Sequence, residues 1–257
     1  MHRIEFNLFD RAKQYFPSDR HELRTAARNH HYINREYQDW KSQLDLPNTY
    51  ENPELELYYI AIITAFQHFE SSLEFSQAIE DLLHEKRRNN MPAICILLRQ
   101  SMESAFTASW LSSQSDIRSV AQRGFQITVR DLNNRYNFAA ALQLHEPSFF
   151  HNRSINMKEI ERQKLNLLLV GNQYGFNGKE IKEIFSPLIT RLFKNIVIGG
   201  EKQNLSWIYM MLSAIGHGTW LGFYPSEKEL TALIKLKDQC LRETLNRLKA
   251  RTDKLIS

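Results

Sequence analysis

Residues 54–88 read ELELYYIAIITAFQHFESSLEFSQAIEDLLHEKRR, and this stretch decides the fold class. Its apolar side chains recur every three or four residues, as at Ile62, Phe66, Phe69 and Leu73. This spacing is that of an α-helix, which has about 3.6 residues per turn. The stretch therefore predicts a single amphipathic helix of about nine turns.

Helical patterns continue on both sides of this stretch. Pro92 fits the first turn of a helix over 91–111, which is apolar on almost every side. Ser115 and Asp116 offer a cap for a long helix over 116–143. The other predicted helices cover residues 19–43, 157–175, 179–197, 204–224 and 226–255.

The composition also favours helices. The 257 residues include only nine Gly and seven Pro, fewer turn residues than β-sandwiches or parallel α/β folds usually need. No internal repeat and no long linker interrupts the pattern. We therefore expect an all-α protein: an antiparallel helical bundle of about six or seven helices over 51–257, with a polar N-terminal helical extension over 1–50 packed on it.

Cysteine content and hydropathy predict a compartment. The two cysteines, Cys95 and Cys240, give no support for a disulfide framework, so a reducing compartment is expected. The N-terminal residues lack the apolar core of a signal peptide, and no run of about 18 uncharged apolar residues occurs. These observations predict a cytoplasmic protein that does not enter a membrane.

A charged pair lies within the apolar helix 91–111. Arg99 and Glu103 are four residues apart and so share a helix face, which continues to Trp110. Burying such a pair costs free energy unless both members are hydrogen-bonded. The pair is therefore either a core ion pair or the wall of a ligand pocket, and the sequence leaves both interpretations open.

A second constellation follows one face of the predicted helix 204–224. Tyr209, Ser213, His217 and Trp220 recur at spacings of four, four and three. Histidine is the side chain best suited to acid–base work near neutral pH, although a hydrogen-bonded core histidine is the alternative. No Gly-x-Ser-x-Gly turn surrounds Ser213, so a serine hydrolase is not expected.

The basic excess lies in the second half of the chain. The formal net charge is +4, and residues 113–198 carry 12 basic against 7 acidic side chains. Arg118 and Arg123 belong to this segment and are candidate contacts to a phosphate or a nucleic acid. A solvated helix face is the alternative, because surface helices are commonly charged.

No metal and no cofactor is expected. His68, Glu70, Glu74, Glu103 and His217 are the side chains that could converge in a bundle, but the paired Glu-x-x-His spacing of di-iron bundles is missing. The sequence also lacks a Cys/His cluster and the glycine signatures of nucleotide-binding loops.

Several of these features together resemble a known class. The chain has Arg99 and Glu103 ahead of Trp110, then an arginine-bearing helix, and then the late segment 209–218. This order of features is similar to that of a group of bacterial all-α proteins related to the HEPN class of helical domains. The resemblance spans about 54–250 and implies binding of a nucleotide or RNA.

Ribonuclease members of the HEPN class carry an arginine four to six residues before a catalytic histidine. The residues Met211 to Gly216 that precede His217 contain no arginine, so this sequence departs from the ribonuclease motif. The resemblance therefore favours binding over RNA cleavage.

Two classes of function follow. The first is a HEPN-like protein that binds a nucleotide, a nucleic acid or a partner protein. The second is a small-molecule enzyme with a cavity between helices 91–111 and 204–224. Its candidate catalytic residues would be His217 as acid or base, Glu103 as the partner of that histidine, Arg99 as an anion clamp, and Ser213. The candidate contacts to the ligand on the pocket walls are Tyr209, Trp220 and Trp110. A structural or regulatory protein without a pocket, and a homodimer through an amphipathic face, are open alternatives.

Overall fold

The computed structural model of the chain describes residues 21–46, 52–84, 90–145, 156–176, 196–198, 201–203, 206–216 and 225–256. Over these residues it has eight helices and one antiparallel strand pair, and it confirms the prediction of an all-α helical bundle. The helices are α1 (His21–Ala27), α2 (His30–Lys41), α3 (Pro53–His84), α4 (Met91–Ser112), α5 (Ile117–His145), α6 (Met157–Gln173), α7 (Ser206–Gly216) and α8 (Glu227–Ile256), and the strands are β1 (Ile196–Ile198) and β2 (Glu201–Gln203).

The prediction of a single helix over 19–43 is wrong, because a tight turn separates α1 from α2. At this turn the Asn29 N–H donates to Ala26 O at 3.1 Å, and the His31 N–H donates to Arg28 O at 3.1 Å. Both bonds span three residues rather than four, so the chain winds more tightly here than in an α-helix. The break places His30 at the start of α2.

The predicted helix 179–197 is also corrected at its end. Residues 196 and 197 lie in β1, whose Ile196 pairs with Gln203 of β2, while 179–195 lie outside the described residues. Ile196, Val197 and Ile198 are all β-branched and are followed in sequence by two glycines. This combination favours a short strand and a hairpin turn over a helix.

Helix α3 is the centre of the bundle. It packs against α4, α5 and α8, and the described residues form two buried apolar clusters along these long helices. One cluster includes Phe69 of α3 and Phe125 of α5. The other includes Ile79 of α3, Leu98 of α4 and residues of α7 and α8. No helix among the described residues is long and apolar enough to cross a membrane.

The N-terminal helices are part of this core. Helix α1 buries Leu23 and Ala26 against α3 and α8, and α2 buries Ile33 and Tyr37. The Tyr37 hydroxyl also donates to Glu70 Oε1 of α3 at 2.9 Å. The polar pattern of this segment therefore reflects its solvent-facing side, while its inner side contributes to the fold.

Gly124 sets the distance between α5 and α3. A Cβ atom added there would lie 2.1 Å from the backbone oxygen of Leu57. We therefore expect Gly124→Ala to lower the free energy of unfolding by about 1–3 kcal/mol, because the two helices must separate. This would occur although Ala is favoured over Gly in a helix by about 1 kcal/mol. Urea denaturation measures the change.

Asn134→Ala on the exposed side of α5 is the control for this substitution. It improves helix propensity without a close contact, so its free energy of unfolding should stay unchanged or rise slightly. A Gly124→Ala variant as stable as the wild type would contradict the close approach of α5 to α3.

Candidate functional site

The structure brings three of the predicted site residues together where α4 meets α7. Arg99 Nε donates to Glu103 Oε1 at 2.8 Å along one turn of α4. From α7 the Tyr209 hydroxyl donates to the same oxygen at 3.0 Å, and the Arg99 guanidinium lies 5.6 Å from the centre of the Tyr209 ring. We call Arg99, Glu103 and Tyr209 the α4–α7 cluster.

The α4–α7 cluster is half-buried, which strengthens its electrostatic interactions. The side chains of Arg99 and Glu103 are 16% and 21% exposed. Burial disfavours the Arg99 cation, but the Glu103 carboxylate outweighs this effect and raises the Arg99 pKa. Burial, together with Glu103, also raises the pKa of Tyr209. At neutral pH the cluster therefore holds a charged guanidinium and a protonated phenol.

The remaining residues of the predicted α7 stripe are only partly described. Ser213 lies half-buried on α7, one turn after Tyr209. His217 and Trp220 lie outside the described residues, and so does one wall of the predicted cavity between helices 91–111 and 204–224. Their roles stay predictions.

Trp110, Arg118 and Arg123 do not join the α4–α7 cluster. Arg123 donates to Trp110 O and to Ser113 Oγ, and its guanidinium lies 4.9 Å from the Trp110 ring centre. Burial lowers the Arg123 pKa to about 10, so this side chain still carries its charge at neutral pH. These contacts stabilise the connection between α4 and α5.

Arg118 likewise contacts a neighbouring chain segment, at the end of α6. Its guanidinium donates to Tyr174 O at 2.8 Å and lies 5.9 Å from the Phe176 ring centre. The structure thus uses Arg118 and Arg123 to hold neighbouring chain segments. Their predicted contacts to a phosphate or a nucleic acid stay predictions.

The described acidic and histidine residues considered for a metal do not converge on one site. The pKa of His68 is lowered by burial and then by Arg130, with Asp131 of α5 opposing. Glu70 binds Tyr37 and Lys41 of α2, whereas Glu103 binds Tyr209 of α7. Among the described members of this set, no common metal site forms.

A cavity lies between α2 and α3, at a place that the sequence did not indicate. Its volume is about 420 Å³, and six of its seven lining residues are polar. Burial and then Glu70 raise the Tyr37 pKa, so this hydroxyl stays protonated and donates to Glu70. The cavity is lined by His30, Asn34, Gln38, Glu70, Leu73, Glu74 and Gln77.

Next to this cavity, histidines converge on a buried carboxylate. Glu80 Oε2 lies 2.7 Å from His31 Nε2 and 4.0 Å from His30 Nδ1. Its other oxygen, Oε1, lies 3.4 Å from His84 Nε2 and 3.5 Å from Arg28 Nε. We call His30, His31 and Glu80 the histidine–glutamate cluster.

A third polar group lies inside the bundle. Lys237 Nζ donates to Ser76 Oγ and lies 3.0 Å from Asp238 Oδ1, and all three side chains are buried. Ser76 is also within 3.3 Å of Ser101 Oγ, which in turn contacts Ser72. We call Ser72, Ser76, Ser101, Lys237 and Asp238 the polar layer. It is too deeply buried to meet a substrate, so its role is structural.

Two of these groups include residues whose positions in the sequence are unusual. Lys237 occurs on the apolar stripe of its helix, three residues after Ile234 and four before Leu241, where a charge is unexpected. The adjacent His30 and His31 are unusual as a pair, but their partner Glu80 is fifty residues away in sequence. Only the packing of α2 on α3 reveals that contact.

No protein-family model matches this chain, and neither a curated protein nor a solved structure shows significant similarity to it. The function is therefore argued from the chain's own residues.

The polar layer gives a test of the fold around these sites. Lys237→Met leaves the buried Asp238 without its cation, so we expect a loss of about 3–5 kcal/mol in the free energy of unfolding at neutral pH. The double variant Lys237→Met/Asp238→Asn should recover most of this loss. Urea denaturation of both variants measures the effect, with the exposed Lys235→Met as control.

The loss in Lys237→Met should shrink as the pH falls. Burial raises the Asp238 pKa in the folded protein, so acid protonates the carboxyl in the folded state more readily than in the unfolded state. The free energy of unfolding of the variant therefore approaches that of the wild type as the pH falls. A loss that is independent of pH would contradict a buried, charged Asp238.

Proposed function

We propose that this chain is a helical ligand-binding protein that binds a nucleotide or another small phosphate-bearing molecule at the α4–α7 cluster. The observation that carries this proposal is the fixed position of Arg99, whose guanidinium is held by Glu103 on its own helix and lies against the Tyr209 ring. The HEPN resemblance is part of the proposal, and the all-α bundle supports it.

The geometry suits a phosphate group. A guanidinium binds a phosphate through two parallel N–H donors in one plane. Glu103 engages the Nε donor of Arg99, and Tyr209 also hydrogen-bonds to the Arg99 side chain, so a phosphate would approach through the remaining N–H donors of the guanidinium. Because Arg99 is already oriented, binding would order few additional rotamers.

Tyr209 supplies a second recognition element. Aromatic faces stack on nucleobases with a free energy of about 1–3 kcal/mol per base. The Tyr209 ring is half-buried and is fixed by its hydrogen bond to Glu103, and the Arg99 guanidinium lies over one of its faces, so a base would stack on the opposite face. A base and a phosphate could therefore be contacted by neighbouring side chains of the same cluster.

The other arginines favour a small ligand over a nucleic acid. Arg118 and Arg123 donate to backbone carbonyl groups within the fold. Arg130 pairs with Asp131 at 3.0 Å, and Arg162 pairs with Glu159 at 2.7 Å. A protein that tracks a phosphate backbone needs several uncommitted cations in a row.

An enzymatic role is the second candidate. Tyr209, Ser213 and His217 recur every four residues in the sequence. Because Tyr209 donates to Glu103, this series begins beside a carboxylate. His217 would act as the acid or base, with Glu103 as its proton-accepting partner, on the ligand that Arg99 holds.

Location and assembly are proposed on separate observations. Cys95 and Cys240 are both free thiols, which supports a reducing compartment such as the cytoplasm. A homodimer is supported by large apolar side chains exposed on α5 and α6. These are Phe138, Leu144, Leu165 and Leu169.

Nucleotide binding is tested with a fluorescent adenosine nucleotide and unlabelled competitors. We expect the wild type to bind, and Arg99→Gln to weaken binding at least tenfold, because a hydrogen bond to a charged group contributes about 1.5–3 kcal/mol. Arg162→Gln is the matched control, since Arg162 is also paired with a glutamate on its own helix. It should bind as the wild type does.

Two results would contradict this proposal. One is the absence of binding to nucleotides and to inorganic phosphate by the folded wild type. The other is an Arg99→Gln affinity equal to that of Arg162→Gln. Tight binding of single-stranded RNA that weakens steeply with salt, with no nucleotide binding, would replace the small ligand with a nucleic acid.

The enzymatic candidate is tested on the nucleotide that binds. We expect His217→Ala to retain binding and to lose turnover by about 10²–10⁴-fold, the usual contribution of a general acid or base. Product formation is measured by chromatography, and circular dichroism confirms that the variant is folded. If the wild type forms no product, the chain is a binding protein and the enzymatic candidate is wrong.

A further inference from the structure

We propose that His30, His31 and Glu80 form a binding site for a divalent transition-metal ion of the Zn²⁺ type. The site lies between α2 and α3, away from the α4–α7 cluster. One nitrogen from each histidine and one oxygen of Glu80 lie within 4.8 Å of one another. Two histidines and one carboxylate are a ligand set that Zn²⁺ uses in proteins.

The measured distances are close to those of a coordination sphere. Bonds from Zn²⁺ to nitrogen or oxygen are roughly 2.0 Å, so two ligands of a tetrahedral ion lie roughly 3.3 Å apart. Glu80 Oε2 lies 2.7 Å from His31 Nε2 and 4.0 Å from His30 Nδ1, on either side of that value. Side-chain rotations are needed to bring all three atoms to this spacing.

Glu80 is the observation that points to a cation. Its side chain is only 9% exposed, and its Oε2 atom is buried and makes no hydrogen bond, although His31 Nε2 lies 2.7 Å away. A buried carboxylate oxygen in this state costs free energy unless a cation or a donor neutralises it. Oε1 is already held from the other side by Arg28 and His84, so the carboxylate is oriented with Oε2 towards the two histidines.

His30 is oriented in the same way. Its Nε2 atom lies 3.2 Å from Gln77 Oε1, and the Gln77 amide donates to Asp81 at 2.9 Å, which fixes the amide orientation. Nε2 is thus engaged by Gln77, and Nδ1 is the nitrogen that faces Glu80. Such a carbonyl oxygen behind a histidine ligand is common at metal sites, where it fixes the tautomer.

The Nδ1 atom of His30 also lies 2.6 Å from Ala27 O. Both ring nitrogens thus face oxygen atoms. A metal ion at Nδ1 would take the place of the contact with Ala27 O.

Access to the site is open on one side. The His31 side chain is 49% exposed, so an ion can enter from solvent and a water molecule can complete its coordination. The cavity between α2 and α3 also borders the site through His30 and Gln77. A metal ion here would thus be reachable by a small polar molecule in that cavity.

The test begins with the full chain stripped of metal by a chelator. We expect isothermal titration to show binding of one equivalent of Zn²⁺, with a melting temperature that rises with Zn²⁺ concentration. Co²⁺ should give the visible absorption bands of a tetrahedral nitrogen and oxygen site. Affinity should fall as the pH is lowered, because protons compete for the histidine nitrogens.

His31→Ala and Glu80→Gln should each weaken Zn²⁺ binding at least tenfold. The matched control is His145→Ala, which removes an exposed histidine at the end of α5 and should leave the affinity unchanged. If Glu80→Gln fails to fold, His31→Ala decides alone, because its side chain is half exposed. Absence of stoichiometric Zn²⁺ binding, or equal affinity in His31→Ala and His145→Ala, would overturn the proposal.

Discussion

The close contact between α3 and α4 depends on two serines that exchange hydrogen bonds. Ser72 Oγ donates to Ser101 O at 2.8 Å, and Ser101 Oγ donates to Ser72 O at 2.8 Å. Buried hydroxyl groups cost free energy unless they are hydrogen-bonded, and these bonds form only in one register of the two helices. Since α5, α7 and α8 all pack on this helix pair, its register determines where their side chains lie.

The same contact positions both candidate sites. Arg99 and Glu103 lie two residues before and after Ser101 on α4, and Glu80 lies one turn after Ser76 on α3. The polar layer also separates the two apolar clusters, since Lys237 and Asp238 occur on α8 between Leu236 of one cluster and Leu241 of the other. A shift in register would therefore displace the α4–α7 cluster and the histidine–glutamate cluster together.

The sequence predicted the long helices because their apolar spacing is sustained over many turns, as in α3. It also grouped Arg99 with Glu103 and lined up Tyr209 with Ser213, since both patterns repeat along one helix. The turn at Arg28 and Asn29 and the strand at Ile196 were missed, because short local hydrogen bonds and β-branched runs override a helical pattern. The contact of His30 with Glu80 joins two helices that are far apart in sequence, and no periodicity encodes it.

The two candidate sites have opposite chemistry and should act independently. In the two proposals, Arg99 would offer positive charge to an anion at α4 and α7, whereas Glu80 and the histidines would offer lone pairs to a cation at α2 and α3. Coupling between two sites requires an element with two alternative arrangements that both ligands bias. The helices that connect them, α3 and α4, are joined by buried serine hydrogen bonds that fix one arrangement. A metal ion would therefore stabilise the docking of α2 on α3 and leave the anion-binding geometry of Arg99 unchanged.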